Sequence, residues 1–548
     1  MLHVREINCS VSLEFAFHRE TRLAVTPLPS SGELETPLRV RAQHRAPLSA
    51  WVYALAATAM LVHLLFNRQY GYFRDELYYA ACGQYPAWGY VDHAPLVAWV
   101  AHVVRAVLGD SLFALRLLPA LSAAAKVWLA GWMAREMGGE EFAQILAGVT
   151  TLVAPIYLTF DNFLSMNAFE PVFWMASAAI VLRILNGGDQ RLWACLGVVV
   201  GLGLLNKHSM IFFVSGLVAG MLLTPARRGF ASKWLWIGAA IAVGIFLPNF
   251  IWEWREGWPT IALLRHVVGG KYATVSAWEY VWQQTLLTLP LAAPVWLGGL
   301  WFLFRDTRGK RYAVLGWAYL VVLAEMLALH GKIYYLAPAY IMLLAAGSVW
   351  ISSFAWVRST RWARGAMVGI LVVAGALAAP LAMPVLSVDE VIRYARFWNV
   401  EAIHVENVPQ DDLPQLFGDM FGWEEQVKAV AGVYAKFSAE DKAQTTILAY
   451  NYGEAGAIDY FGGSYGLPKA VSGHNQYGLW GPRKDAAQVV IAIGFPKEFL
   501  EHFFWEVTAA AHVNPKYALP EERNLTVFVC RDPKMRLGEA WQQLRYLN

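Results

Sequence analysis

Asp75 and Glu76 stand side by side just beyond the first long apolar stretch of the chain, Trp51 to Phe66. At a membrane boundary a carboxylate is partly desolvated yet within reach of a polar substrate, where it can take the proton from an acceptor hydroxyl. The same pair also reads as a solvated collar or a helix cap. Asp161 lies in the turn Phe160-Asp161-Asn162-Phe163, and Asn167 and Glu170 follow at i, i+3 spacing. Carboxylates in lipid are costly and point to function, acceptor contact in the case of Glu170, with an interhelical hydrogen bond as its alternative. Lys207 and His208 interrupt two apolar stretches, and Lys332 precedes Tyr334 and Tyr335 in a second such break. Cations there imply an anionic partner, most simply a phosphate. A snorkelling lysine and interfacial belt tyrosines are the competing readings. Together these groups would suit transfer from a lipid-linked phosphate sugar: cations stabilise the leaving phosphate while a carboxylate deprotonates the attacking hydroxyl.

These side chains need elements built for lipid. Of 548 residues, 57% are apolar and 16% charged, and mean hydropathy is +0.38, whereas soluble domains carry about 25% charged residues. The net charge of +3 leaves no electrostatic footprint for a nucleic-acid partner. Cys9, Cys82, Cys195 and Cys530 are too scattered for a zinc knuckle or a disulfide framework. Residues 1–48 read as a basic, disordered leader without a signal peptide. About 20 apolar residues cross the hydrocarbon core. On that basis we expect about eleven helices, near 50–67, 112–134, 142–160, 164–185, 192–205, 209–224, 234–251, 280–304, 312–329, 333–354 and 365–386.

Lys and Arg fall in alternate connections, at Arg135, Arg183 and Arg191, Arg227 to Lys233, Arg305 to Arg311, and Arg358 to Arg364. Cytoplasmic loops carry this excess. The intervening connections, 68–111, 161–163, 206–208, 252–279 and 330–332, then face outward with the candidate residues, as does the tail from Ser387. Lys207 and Lys332 run against that charge rule, which strengthens the phosphate reading.

From 387 to 548 the composition turns polar. Strands are expected at Thr445 to Tyr450, Val489 to Ile493 and Leu525 to Cys530, and helices at Asp412 to Phe437 and Lys497 to Ala511, an α/β pattern. Glu454 in Asn451-Tyr-Gly-Glu-Ala-Gly, and His474, Asn475 and Trp480 further on, are candidate acceptor contacts, with turn formation as the alternative. Gly453 and Gly456 lack the spacing of a dinucleotide fingerprint.

Several of these motifs resemble the bacterial branch of the dolichyl-phosphate-mannose-protein mannosyltransferases (glycosyltransferase family 39 and relatives), which have the multi-helix GT-C fold. They are Asp75-Glu76, Asp92-His93-Ala94-Pro95-Leu96, Phe113-Ala-Leu-Arg-Leu-Leu-Pro119, Lys207-His208 and Lys332-Ile-Tyr-Tyr-Leu-Ala-Pro338, within Ala50 to Pro384. The resemblance implies inverting transfer of a sugar from a polyprenyl-phosphate donor to an acceptor protein, lipid or glycan outside the cytoplasm. By the same carry-over Asp75 is the base, Asp161 a second essential acid, and Lys207 and Lys332 phosphate contacts. Where relatives that modify lipid A with aminoarabinose carry Glu-Lys-Pro-Pro, this chain has Asp92-His93-Ala94-Pro95. A protonated His93 would have to replace the lysine, or the Asp-His pair would hold a divalent metal; otherwise no cofactor is implied. The rival reading is a flippase for a polyprenyl-linked sugar, but no inverted repeat is evident.

Overall fold

The computed structural model describes residues 46–267, 276–398, 413–482 and 487–547. The leader, apart from its last residues, lies outside the described residues, as do Asp412 and part of the connection 252–279. All eleven expected apolar stretches are helical. The first ten helices of the chain are α1 (Ala50–Phe66), α2 (Arg74–Gly83), α3 (Leu96–Leu108), α4 (Leu112–Glu136), α5 (Glu141–Leu152), α6 (Pro155–Phe160), α7 (Met166–Leu185), α8 (Leu192–Asn206), α9 (Met210–Leu222) and α10 (Lys233–Arg255). By length and composition, six helices among the described residues are long and apolar enough to cross a membrane, or up to eight if bent pairs count as one span.

The difference from eleven has local causes. The stretch 142–160 breaks between α5 and α6, where Pro155 removes a backbone donor and crowds the preceding turn. The stretch 280–304 bends by 95° ahead of Pro290, where Leu289 takes a φ of 73°. The α1 and α8 helices have 17 and 15 residues, short of the usual span. The connection 68–111, expected as a loop, contains both α2 and α3. At 13 residues α3 is too short to span, and it buries Val97, Ala98, Ala101 and Val104 while exposing Val103 and Val107.

Within the bundle α1 packs on α4, α8 on α10, and α9 on the helix Ala313–Ala328. In lipid the hydrophobic effect between helices is weak, so close backbone approach matters more. A Cβ on Gly347 would lie 1.7 Å from the Val295 carbonyl oxygen, and one on Gly197 would lie 2.0 Å from that of Gly238. The two ends of the bundle differ in chemistry. At one end the buried Glu136 accepts from Arg135 and Arg183 at 3.2 and 3.1 Å, and Tyr312 donates to its carbonyl at 3.0 Å. The other end carries the candidate residues.

The tail forms a five-stranded sheet in the order β2-β1-β3-β5-β4. The strands are β1 (Thr445–Ala449), β2 (Ala470–Ser472), β3 (Val489–Ile493), β4 (Phe504–Val513) and β5 (Leu525–Pro533). The three expected strands are present. The expected helix Lys497 to Ala511 stops at Phe503 and continues as β4, which pairs antiparallel with β5. Its β-branched and aromatic residues are better satisfied on a pleated edge.

One face of the sheet, with Leu448, Val490 and Ala492, packs on Phe503 and Trp541. The other face, with Ile447, Ala449, Ile491 and Ile493, shares a core with Leu77, Tyr78 and Cys82 of α2 and Val97 and Ala101 of α3. The outer connection of the bundle is therefore also a wall of the tail. Gly453 and Gly456 serve this contact, since a Cβ on Gly456 would lie 3.0 Å from the Leu77 carbonyl carbon.

Gly347→Val is expected to destabilise the bundle by about 1–3 kcal/mol, the usual cost of overpacking. Thermal unfolding in detergent, followed by size-exclusion chromatography, would show it as a lowered midpoint.

Candidate active site

Asp75 and Glu76 occupy the first turn of α2, where a helix favours negative charge. Successive helical residues point about 100° apart, and the two carboxylates part company. Glu76 is fully buried. Its Oε1 accepts from Arg116 Nε at 2.9 Å and Leu164 N at 2.9 Å, and its Oε2 from Arg116 Nη2 at 2.7 Å and Phe73 N at 2.9 Å. A carboxylate has four such positions, and all are filled. Paired with Asp75 as a catalytic acid from sequence, Glu76 has no oxygen lone pair left for substrate. Arg116, fully buried in α4, also donates to the carbonyls of Asn67 and Gly71 at 3.0 and 2.8 Å. It thus holds the start of the outer connection in place.

Asp75 remains half-buried and accepts from the Tyr452 hydroxyl at 3.0 Å. The neighbouring Tyr79 senses Asp75, Asp92, Tyr452 and Tyr334, and burial together with the two carboxylates pushes its phenol well above the ordinary value. Tyr334 leads to the cations: Lys207 Nζ sits 5.6 Å from its ring centre and 4.3 Å from that of Tyr335. Lys332 Nζ lies 5.9 Å from the Tyr334 ring and is close enough for Lys207 to sense its charge. Asp75, Tyr79, Tyr334, Tyr335, Lys207 and Lys332 thus lie in one neighbourhood.

The segment from Asp161 to Glu170 ties this group together. Its Leu164 N–H reaches Glu76, its Met166 carbonyl accepts from Asn206 at 2.9 Å, and Asn167 and Glu170 each accept from Lys207 Nζ at 2.8 Å. Ser209 also donates to Glu170. Expected to meet an acceptor, Glu170 is instead 4% exposed and holds the lysine. Asp161, also buried, pairs with Lys126 of α4, which donates as well to the Ala168 carbonyl at 3.2 Å. With His63, Thr151 and Tyr157 this pair lines a cavity of about 40 Å³. His208 bonds Asn249 at 3.0 Å, and Asn249 reaches the Trp88 carbonyl at 2.7 Å.

His93 is 4% exposed and donates from Nδ1 to the Ala94 carbonyl at 2.9 Å. Burial holds its imidazole below the ordinary 6.5, so at neutral pH Nε2 offers a lone pair and not the proton a phosphate needs. Asp92 accepts from Tyr78 at 2.7 Å and Asn475 at 3.0 Å, which commits both its oxygens to holding the tail.

The tail residues expected to contact an acceptor lie at this junction. Asn475 bonds Asp92, and Gln476 accepts from Val91 N at 3.0 Å. His474 stacks between Tyr452 and Tyr546, with ring centres 4.7 and 4.5 Å away. Trp480 packs on Tyr85 and Tyr477. Glu454 caps its own helix by accepting from Tyr450 N at 2.7 Å and is buried beside Glu522. Burial, with repulsion from Glu522, pushes the Glu454 carboxyl well above the ordinary 4.5, and burial raises that of Glu522 as well. Burial in the docking surface thus corrects the expectation of acceptor contact for Glu454, His474 and Asn475. Arg116, Lys126, Tyr79 and Tyr452 were not singled out from sequence. The first belongs to a quoted motif, and the second is a lone lysine in an apolar helix, a signal that was available.

Residues 92–252 match the family described as dolichyl-phosphate-mannose-protein mannosyltransferase. The chain is 26% identical over 335 residues to the lipid A galacturonosyltransferase RgtD of Rhizobium johnstonii, covering 58% of this chain and 68% of that one. It is 25% identical over 271 residues to undecaprenyl phosphate-alpha-4-amino-4-deoxy-L-arabinose arabinosyl transferase 1 of Pseudomonas fluorescens, 44% of each. The crystal structure of ArnT from Cupriavidus metallidurans bound to undecaprenyl phosphate superposes with a TM-score of 0.60 at 14% identity. That match covers 88% of this chain and 98% of ArnT, a likeness of fold.

Two outcomes follow. Removing one partner of a buried pair leaves the other uncompensated, at a cost of about 3–5 kcal/mol, so Arg116→Met should lower the unfolding midpoint far more than the exposed Arg358→Met. The Glu454–Glu522 pair has folded-state pKa values above the unfolded ones, so its contribution is full below pH 4.5 and is lost as pH rises toward the raised values. Melting curves should therefore show a midpoint that falls as pH rises above 4.5, and Glu454→Gln should narrow that fall.

Proposed function

We propose, from the premise that the chain is a membrane glycosyltransferase of the GT-C fold, that it moves a sugar from a polyprenyl-phosphate donor to an acceptor hydroxyl outside the bacterial cytoplasm. The observation that carries this is the convergence of a half-buried carboxylate and two lysines at one end of the bundle. Asp75 takes the proton as the acceptor oxygen bonds to the anomeric carbon. The bond from that carbon to the phosphate oxygen breaks, and the polyprenyl phosphate leaves with the electron pair.

Negative charge grows on the phosphate as it leaves, and preorganised cations stabilise that change. Two of the three Lys207 N–H donors go to Asn167 and Glu170, which aims the ammonium and leaves a third for phosphate. Lys332, with Tyr334 and Tyr335, completes the anionic subsite. Glu76, Asp161 and Glu170 act behind this group as fixed counter-charges. The alternation of basic connections supports an extracytoplasmic site in the cytoplasmic membrane, and the name of the lipid A galacturonosyltransferase favours a glycolipid acceptor.

Purified protein would be given radiolabelled polyprenyl-phosphate sugars and an outer-membrane glycolipid extract, with release of the lipid phosphate followed. Asp75→Asn should lower kcat by about 10²-fold or more, the usual contribution of a general base. Undiminished turnover would remove Asp75 as base, and sugar translocation without cleavage of the phosphate bond would replace transfer by transport.

A further inference from the structure

We infer that Tyr452, contributed by the tail, is a positioning residue for the transfer step, so that the active site is complete only with the tail docked. This rests on Asp75 acting as the base. Tyr452 opens the helix Tyr452–Phe461, and its hydroxyl donates to Asp75 Oδ1 at 3.0 Å. The phenol is held from both sides: its ring stacks on Tyr78 of α2 at 4.5 Å and meets the tilted ring of His474 at 4.7 Å. Its backbone N–H donates to His474 Nδ1 at 3.3 Å.

The base of this reaction needs one rotamer, with one oxygen facing the acceptor. A charge-assisted hydrogen bond from a clamped donor favours that rotamer and stabilises the charged form that accepts the proton. The charged and titratable groups around Asp75 and the adjoining Tyr79 come from four parts of the chain: Arg74 and Tyr79 of α2, Asp92 of the following connection, Tyr334 of the segment Ile333–Ala339, and Tyr452 of the tail. Arg74 is engaged by Asp419 at 3.1 Å and Glu521 at 3.5 Å, both in the tail. The tail thus reaches both the residue before the base and the base itself.

The test uses the full-length protein in detergent. Tyr452→Phe keeps the stacked ring and removes the hydroxyl alone, so the melting midpoint should hold. The value of kcat should fall about tenfold, the loss expected for one hydrogen bond to a charged group, with KM for the donor unchanged. The acidic limb of the pH profile should move to higher pH, because the carboxylate loses a donor. In an Asp75→Asn background the same change should cost nothing further. Site-specific 3-fluorotyrosine at position 452, a stronger donor in an intact fold, should move the limb the other way, and it decides the matter if the phenylalanine variant does not fold. A parent-like kcat and an unmoved limb in both variants, with Asp75→Asn inactive, would overturn the role of Tyr452. Full activity of Asp75→Asn would instead overturn the base assignment.

Discussion

The bidentate contact between Arg116 and Glu76 fixes three separate parts of the chain at one point. Arg116 projects from the N-terminal end of the long apolar helix α4, Glu76 lies in the first turn of α2, and the Leu164 N–H closes the carboxylate from the turn before α7. Both ions are fully buried, so neither tolerates the loss of its partner. Because Glu76 is turned inward and locked, the adjacent Asp75 is turned toward the Tyr452 hydroxyl of the tail. One ion pair thereby sets the direction of the neighbouring carboxylate without touching it.

The same economy recurs along the segment 161–170. Asp161 holds Lys126, and Glu170 with Asn167 holds Lys207. Buried ion pairs add little net stability over apolar packing but penalise alternative registers strongly. Their value here is geometric: each links helices far apart in sequence, and together they leave few ways to assemble the outer end of the bundle. Lys207, held by two acceptors beneath Tyr335, is a cation with a fixed position, which is what a developing phosphate charge requires.

Much of this was legible in the sequence. Apolar runs marked every bundle helix, and the alternation of Lys and Arg grouped Asp75, Asp161, Lys207 and Lys332 on one side. What sequence could not supply was pairing. Arg116 and Lys126 sit in one helix that stays apolar enough to cross a membrane despite them, and their partners lie 35–40 positions away. Glu76 looked like the equal of Asp75 until its four donors were visible. Glu454, His474 and Asn475 read as exposed binding groups because nothing local announces that their surface is covered by α2 and the turn at Asp92. The strand β4 was missed for a related reason, since only its partner β5 distinguishes it from an amphipathic helix.

The shared core between the tail and α2 bears on how such an enzyme can be regulated or engineered. The face of the sheet bearing Ile447 and Ile491 shares a core with Leu77 and Tyr78 through the helix Tyr452–Phe461, which packs on α2, and α2 carries Asp75. Any displacement of the sheet therefore moves the helix that presents the base. Truncating the tail would expose one whole apolar face of α2 and α3 and remove the Tyr452 hydroxyl at the same time. The tail is thus better regarded as part of the outer end of the bundle than as an appended module, since it packs on α2 and bonds both Arg74 and Asp75.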